Sequence, residues 1–191
     1  MIEVISGATG RTLGTIHTRG TPTFMAVDPA THRLYAEALV FNPDGTSTTH
    51  IEVIDAITRR SLGRIWAPFA TGPLVADQRH NLIYALTTGQ GLAVIDGHSD
   101  KVIRRIPLPR RGDLQYDDAV LDPRNGTLYV IGNGSPCDVS ACTGYLVAVN
   151  PASGTSSAPV RVGTWAYQLS VDPTMSRLYV TTTRGTVVFS V

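Results

Sequence analysis

The residues best suited to chemistry in this chain are a few carboxylates and one histidine. Asp113, Asp118 and His50 could hold a divalent ion that activates water, provided that further oxygen ligands converge on them, because such ions take several oxygens. Asp117 precedes Asp118, but neighbouring residues of a strand point to opposite faces, so only one of the two can serve a given site. A metal-assisted hydrolase or lyase is therefore one hypothesis for this chain.

No catalytic motif accompanies these residues. The five histidines never approach a ligand spacing such as His-Glu-x-x-His, and the chain has no Gly-x-Ser-x-Gly turn, P-loop or dinucleotide fingerprint. The favoured prediction is accordingly a protein without catalytic residues, bound metal or cofactor.

A larger group of side chains is suited to binding. Trp, Tyr and Arg contribute binding energy at interfaces more often than other residues. Combined with the charged residues above, they give the predicted binding site: His50, Trp66, Phe69, Arg110, Arg111, Asp113, Tyr116, Asp118, Trp165 and Tyr167. For Trp66 and Trp165 the alternative is that the indoles fill a central channel or cover sheet ends.

The elements that must position these residues follow from a repeat. An Asp, a turn and, seven positions after the Asp, a Tyr recur at 28–35, 77–84, 122–129 and 172–179. Short apolar runs at 2–6, 51–55, 92–96 and 146–150 interleave with these copies. Self-similarity at a period of about 40–50 residues indicates stacked units that bury their apolar faces against one another. The repeated Asp and Tyr are predicted to serve turns and packing.

Each unit contains short alternating or apolar runs separated by Gly, Pro, Asp, Asn and Ser, which predicts strands joined by tight turns. Four antiparallel strands per unit form a propeller blade. The predicted fold is therefore all-β, a single β-propeller domain of about four blades. The predicted bounds are an incomplete blade at 2–18, blades at about 21–66, 72–108 and 116–162, and a terminal blade at about 166–191.

Two segments carry a family resemblance. Residues 171–189, with Val-Asp-Pro, Arg-Leu-Tyr-Val-Thr-Thr and Thr-Val-Val-Phe, and residues 95–108, with Ile-Asp and Lys-Val-Ile-Arg-Arg-Ile-Pro-Leu, resemble the YVTN-type β-propeller repeat family. The resemblance covers nearly the whole chain and implies an architecture without an activity, because the repeat motif carries no catalytic residue. Propellers of this family usually have about seven blades, so the chain resembles either a compact four-bladed ring or part of a larger ring, which a homodimer could close.

The copies differ in the length of their connections. The added residues fall in 41–50, in 110–118 and in the loop that holds Cys137 and Cys142. Because strands alternate in direction, loops from strand two to three and from strand four to the next unit emerge on the same face. The predicted elaborated face comprises 41–50, 66–72, 110–118, 132–144 and 164–167. Loop elaboration on one side of a rigid scaffold is typical of ligand or partner recognition.

The two cysteines lie five positions apart. A disulfide between Cys137 and Cys142 would imply an oxidising compartment and thus an extracytoplasmic or secreted location, although no signal peptide is visible at the start. Two free thiols would instead fit a cytoplasmic protein.

Charge is nearly balanced, with 16 Lys and Arg against 15 Asp and Glu, which argues against nucleic-acid or membrane partners. The sequence thus favours a non-enzymatic scaffold that recognises a protein, peptide or glycan through the elaborated face. The metal-assisted enzyme and a structural module that oligomerises into a larger ring remain the alternatives.

Overall fold

The computed structural model describes residues 1–67, 70–87, 91–134, 137 and 141–191. Within these ranges all regular structure is β, in eighteen strands that pair antiparallel, and no helix occurs. The predicted all-β class is confirmed. None of the described segments forms a helix that is long and apolar enough to cross a membrane.

The strands form five sheets, and neighbours within a sheet follow in chain order. Sheet 1 contains β1 (Ile2–Ile5) and β2 (Thr12–Ile16). Sheet 2 contains β3 (Thr21–Asp28), β4 (Arg33–Phe41), β5 (Ser47–Asp55) and β6 (Ser61–Ile65). Sheet 3 contains β7 (Ala70–Asp77), β8 (Leu82–Thr87), β9 (Gly91–Asp96) and β10 (Lys101–Ile106). Sheet 4 contains β11 (Gln115–Leu121), β12 (Leu128–Gly134), β13 (Thr143–Asn150), β14 (Thr155–Ser156) and β15 (Val160–Thr164). Sheet 5 contains β16 (Ala166–Asp172), β17 (Arg177–Thr182) and β18 (Gly185–Ser190).

The fourth strand of sheet 4 is divided. Both β14 and β15 pair with β13, and residues 157–159 separate them. Pro159 lacks the N–H that a ladder needs, which accounts for the interruption.

The sheets stack face to face in chain order, and their first strands touch: β3 contacts β7, β7 contacts β11, and β11 contacts β16. One apolar cluster fills each of the four interfaces between consecutive sheets. The repeated Tyr35, Tyr84 and Tyr129 are buried in these interfaces. The described residues form an open stack and no closed ring is seen in them, since Leu13 of sheet 1 and Val188 of sheet 5 are about half exposed on the outward faces.

The sheets have two different ends. The plain end carries the tight turns 28–33, 77–82, 122–128 and 172–177 together with 55–61, 96–101 and 150–155. The elaborated end carries the connections 41–47, 106–115, 134–143 and 164–166. Both names are used in this sense below.

Four arginines connect consecutive sheets near the plain end. The guanidinium groups of Arg59 and Arg104 donate to carbonyl oxygens, Arg33 pairs with Asp100, and Arg124 donates to a hydroxyl. The contacts are Arg59 to Leu13, Arg33 to Asp100 and Gly97, Arg104 to Pro151 and Ala152, and Arg124 to Ser176.

A β-bulge recurs near the elaborated end of the first strand. In sheets 2, 4 and 5 one extra residue interrupts the ladder: Thr23, Asp117 and Tyr167 respectively. Sheet 3 has a register shift between Ala70 and Leu74 at the same place. Bulges re-aim side chains and often border functional sites.

Candidate functional site

The bulges of sheets 4 and 5 border an open groove at the elaborated end, which we call the Trp165 groove. It has a volume of about 450 Å³ and is lined by Asp113, Gln115, Asp117, Asn133, Cys137, Cys142 and Trp165. Carboxylate, amide and indole groups therefore share one surface.

Asn133 fixes the polar side of this groove. Its amide donates to Asp117 Oδ2 at 2.7 Å and to the Ala166 carbonyl at 2.9 Å, while its own carbonyl accepts from the Ala166 N–H at 2.8 Å. Burial raises the pKa of Asp117, although the hydrogen bond from Asn133 works in the opposite direction. Gly132 permits the close approach of β11, since a Cβ there would lie 2.1 Å from the Gln115 carbonyl oxygen.

Trp165 has a backbone conformation that is rare for its residue type. Its φ of 48° lies in the left-handed region, and it is the only such non-glycine at the elaborated end among the described residues. The Trp165 N–H donates to the Cys142 carbonyl at 2.9 Å, and the indole stacks on Tyr167 with centroids 6.5 Å apart and planes 5° apart. The bulge at Tyr167 and the strained turn together hold the indole at the groove.

Cys137 and Cys142 form a disulfide beside Trp165. Cys137 is exposed and Cys142 is buried, so the bridge ties Cys137 to the sheet.

A second open groove, the Trp66 groove, lies at the elaborated end of sheet 2. It has a volume of about 700 Å³ and is lined by Val40, Asn42, Thr48, His50, Gly63, Arg64 and Trp66. Two predicted residues, His50 and Trp66, meet here. His50 is buried with Nε2 3.4 Å from Glu52 Oε1, whereas Trp66 is 68 % exposed.

Arg111 and Tyr116 of the predicted site are engaged within the protein. Arg111 Nε donates to the Tyr145 hydroxyl at 3.2 Å and its guanidinium lies 5.2 Å from the centre of that ring. The Tyr116 hydroxyl donates to the Pro109 carbonyl at 2.7 Å, and burial raises the pKa of this tyrosine to about 12. Arg110 and Tyr116 border a smaller pocket of about 240 Å³.

Asp118 links sheets 4 and 5. Its carboxylate accepts the N–H of Leu169 at 2.8 Å and the N–H of Ala119 at 2.9 Å, while burial raises its pKa. Phe69 lies outside the described residues. The structure thus groups His50 with Trp66 and Asp113 with Trp165, with Tyr167 stacked on the latter.

The metal-assisted hypothesis required Asp113, Asp118 and His50 to converge. His50 lies on sheet 2, whereas Asp118 lies on sheet 4 and is hydrogen-bonded to backbone. In the part of the chain that the structure describes, no three His, Cys, Asp or Glu residues are close enough to hold a metal ion.

The plain end also has clefts, between sheets 3 and 4. Two of them, of about 640 and 290 Å³, both contact Asp77 and His80. His80 Nδ1 lies 2.8 Å from Asp77 Oδ2, and the Tyr84 hydroxyl donates to the same oxygen at 3.2 Å. The equivalent Asp residues of sheets 2, 4 and 5 also bind side chains of their own turns, so this arrangement is part of the repeated turn.

Sequence reasoning missed Asn133 and Arg64. Asn133 falls within the segment 132–144 of the predicted face but was not among the predicted site residues, and it lies inside β12. Arg64 stands in a short exposed strand with no unusual spacing around it. The repeated bulge was the signal that could have marked Asp117, and it becomes visible only once the strand register is known.

Known proteins resemble this chain in fold, and the similarity does not extend to a function. No family model and no curated protein sequence matches this chain. Among solved structures the chain is similar to Kuenenia stuttgartiensis hydrazine synthase, with a TM-score of 0.57 and 17 % identity over 94 % of this chain. The chain spans 66 % of the length of that structure. At this identity the similarity concerns the fold alone.

Proposed function

We propose that the five sheets are blades of a β-propeller made of YVTN-type repeats, and that the chain is a non-enzymatic scaffold whose elaborated end recognises a ligand. Of the ligand classes that the sequence leaves open, protein, peptide and glycan, the Trp165 groove fits a glycan best. The stacking of sheets through their first strands and the similarity to a solved structure support the architecture.

The observation that carries the glycan assignment is the braced indole beside fixed hydrogen-bonding groups. Trp165 stacks on Tyr167, so the opposite face of the indole is the one that a ligand can meet. Gln115 and Asp117 lie in the same groove and offer an amide and a carboxylate that can pair with hydroxyls, while Asn133 holds Asp117 in place through its own hydrogen bond. Aromatic surface combined with a few oriented polar groups is the usual composition of a small-ligand site. A sugar ring presents the matching surfaces, an apolar face and a rim of hydroxyls.

The remaining assignments belong to this proposal. The disulfide supports an extracytoplasmic or secreted location, because such bonds persist in oxidising compartments. The nearly balanced charge supports a ligand other than a nucleic acid or membrane surface.

The test is an array of neutral and acidic oligosaccharides, followed by calorimetry with each oligosaccharide that binds. Trp165→Ala should weaken binding of a neutral oligosaccharide by roughly tenfold or more, since removal of a stacking aromatic typically costs over 1 kcal/mol. Met175→Ala removes another exposed apolar side chain of sheet 5, at the plain end, and should leave binding unchanged.

Two results would overturn this assignment. One is that no oligosaccharide binds the folded protein. The other is that Trp165→Ala binds as tightly as the wild type.

A further inference from the structure

The Trp66 groove contains the guanidinium of Arg64, which does not pair with the carboxylate on the facing strand. Strand register places Arg64 directly opposite Glu52 on β5. Opposite charges at such cross-strand positions usually attract each other. Here they do not pair, and Arg64 has no carboxylate partner among the described residues.

Glu52 is unavailable to Arg64 because it is turned inward. It is 1 % exposed, its Oε1 accepts the Arg19 N–H at 2.9 Å, and the same oxygen lies 3.4 Å from His50 Nε2. Its Oε2 is buried and has no hydrogen-bond partner in the part of the chain that the structure describes. The carboxylate therefore orients the buried imidazole, while the Arg64 guanidinium stays exposed in the groove.

The rest of the groove has the features of a sugar site. Trp66 presents an indole that is 68 % exposed. Asn42 and Thr48 add an amide and a hydroxyl on the same surface, and the volume of about 700 Å³ falls within the range of small-ligand sites. A guanidinium recognises a carboxylate with two parallel hydrogen bonds.

We propose that the Trp66 groove binds an acidic sugar unit, with its carboxylate on Arg64 and the face of its ring on Trp66. This inference rests on the proposed glycan recognition at the elaborated end but concerns a different groove and a different ligand charge. An acidic peptide would satisfy Arg64 too, yet the broad exposed indole matches the flat face of a pyranose better than an extended backbone. Binding is expected to weaken with salt, because the ion pair is exposed.

The experiment is calorimetry of the full chain with trigalacturonate, with the neutral galactose trimer and with hexaglutamate. The wild type should bind trigalacturonate at least tenfold more tightly than the neutral trimer. Arg64→Ala should remove this preference and Trp66→Ala should lower affinity for trigalacturonate by tenfold or more. Arg64→Lys should retain part of the preference, because the charge stays and the planar fork is lost.

Arg60→Ala is the matched control. It removes the same charge from an exposed position of sheet 2 at the plain end, so it should leave trigalacturonate binding unchanged. An equal loss in Arg60→Ala and Arg64→Ala would show non-specific charge attraction and overturn the proposal. Tighter binding of hexaglutamate than of trigalacturonate would overturn it as well.

The outcomes separate this inference from the proposed function. If neutral oligosaccharides bind through Trp165 while trigalacturonate shows no preference for the wild type over Arg64→Ala, only the further inference is wrong. If trigalacturonate binds through Arg64 and Trp66 while Trp165→Ala changes nothing, the Trp165 assignment is wrong and this one stands.

Discussion

The two ends of the sheets use polar side chains in opposite ways. At the plain end Asp28, Asp77 and Asp122 are buried and their carboxylates are occupied by N–H groups and side chains of their own turns. Arginines then connect each sheet to the next. At the elaborated end indoles, amides and a guanidinium line the grooves around Trp66 and Trp165. The same repeat thus supplies structure at one end and, in our proposal, a binding surface at the other.

Constant and variable features have separate physical origins in this repeat. A residue found in several copies, such as the repeated Asp, serves a structure that those copies share, here the turn after the first strand. The bulge shared by sheets 2, 4 and 5 is different, because its position recurs while its residue changes from Thr23 to Asp117 to Tyr167. These sheets share the backbone bulge, but the side chain at the bulge differs from sheet to sheet.

The largest expected effect is at the most enclosed turn of the plain end. Asp122 is fully buried and accepts three hydrogen bonds from Arg124, from its backbone N–H, Nε and Nη2. Asp122→Ala should lower the free energy of unfolding by about 2–3 kcal/mol, since a buried charge-assisted network is lost. At about 2–4 °C per kcal/mol, this appears as a fall in Tm of roughly 5–10 °C in calorimetry.

The matched control is Asp172→Ala, the same turn position in sheet 5, where the Asp is half-buried instead of fully buried. We expect a clearly smaller fall in Tm there. Hydrogen bonding from Arg124 lowers the pKa of Asp122, so its contribution is present above the unfolded-state pKa, about 4, and is lost as pH falls through the lower folded-state pKa. The difference in Tm between the wild type and Asp122→Ala should therefore become smaller in acid. A difference that becomes larger would contradict a stabilising role for the charged form of Asp122.

A smaller effect on the free energy of unfolding should distinguish Tyr84, which lies between two sheets, from Tyr179 on the outward face of sheet 5. The Tyr84 hydroxyl donates to Asp77, whereas Tyr179 lies on the outward face of sheet 5 and its hydroxyl has no partner in the described ranges. Tyr84→Phe should cost about 1 kcal/mol and Tyr179→Phe close to nothing, as measured by urea unfolding. Equal costs would mean that the outward face of sheet 5 is covered in solution.

Much of the fold could be predicted because its determinants are local. Alternating apolar runs and Asp-rich turns predict strands and hairpins from neighbouring residues alone. The arginine contacts could not be predicted, since Arg33 and Asp100 or Arg104 and Pro151 meet only when whole sheets stack. The bulges were hidden because Thr23, Asp117 and Tyr167 count as inserted residues only relative to the facing strand, whose register a single sequence does not show.

The sequence predicted the kinds of residue in the site better than it predicted which individual residues are available to a ligand. Exposed Trp66 and the stacked Trp165 follow from their places in connections at one end. Arg111 and Tyr116 have the same residue types but bind Tyr145 and Pro109, and one of these partners lies 34 positions away. Whether an Arg or Tyr is free for a ligand depends on such partners, which a single sequence does not reveal.

The smallest expected effect is a gain in stability when a buried acid at the elaborated end, Glu37, is replaced by its amide. Glu37 lies between sheets 2 and 3 where sheets 3 and 4 have Leu86 and Ile131, and it is 2 % exposed. Thr23 donates to its Oε1 at 3.1 Å, while Oε2 has no partner in the described residues. Burial raises the pKa of Glu37, so the folded state retains its proton to higher pH than the unfolded state. Its contribution to stability therefore declines as pH rises from the unfolded-state pKa through the folded-state pKa.

Glu37→Gln keeps the shape and removes the charge, so at pH 8 we expect a gain of up to about 1 kcal/mol, or about 2–4 °C in Tm. The gain should shrink towards pH 4, where the wild-type carboxyl is itself protonated, and this acid measurement is the internal control. A loss of Tm at pH 8 would mean that the charged form of Glu37 is stabilised in solution by a bound cation or donor. The elaborated end would then resemble the plain end in how it satisfies its buried carboxylates, and the contrast between the two would be confined to the open grooves.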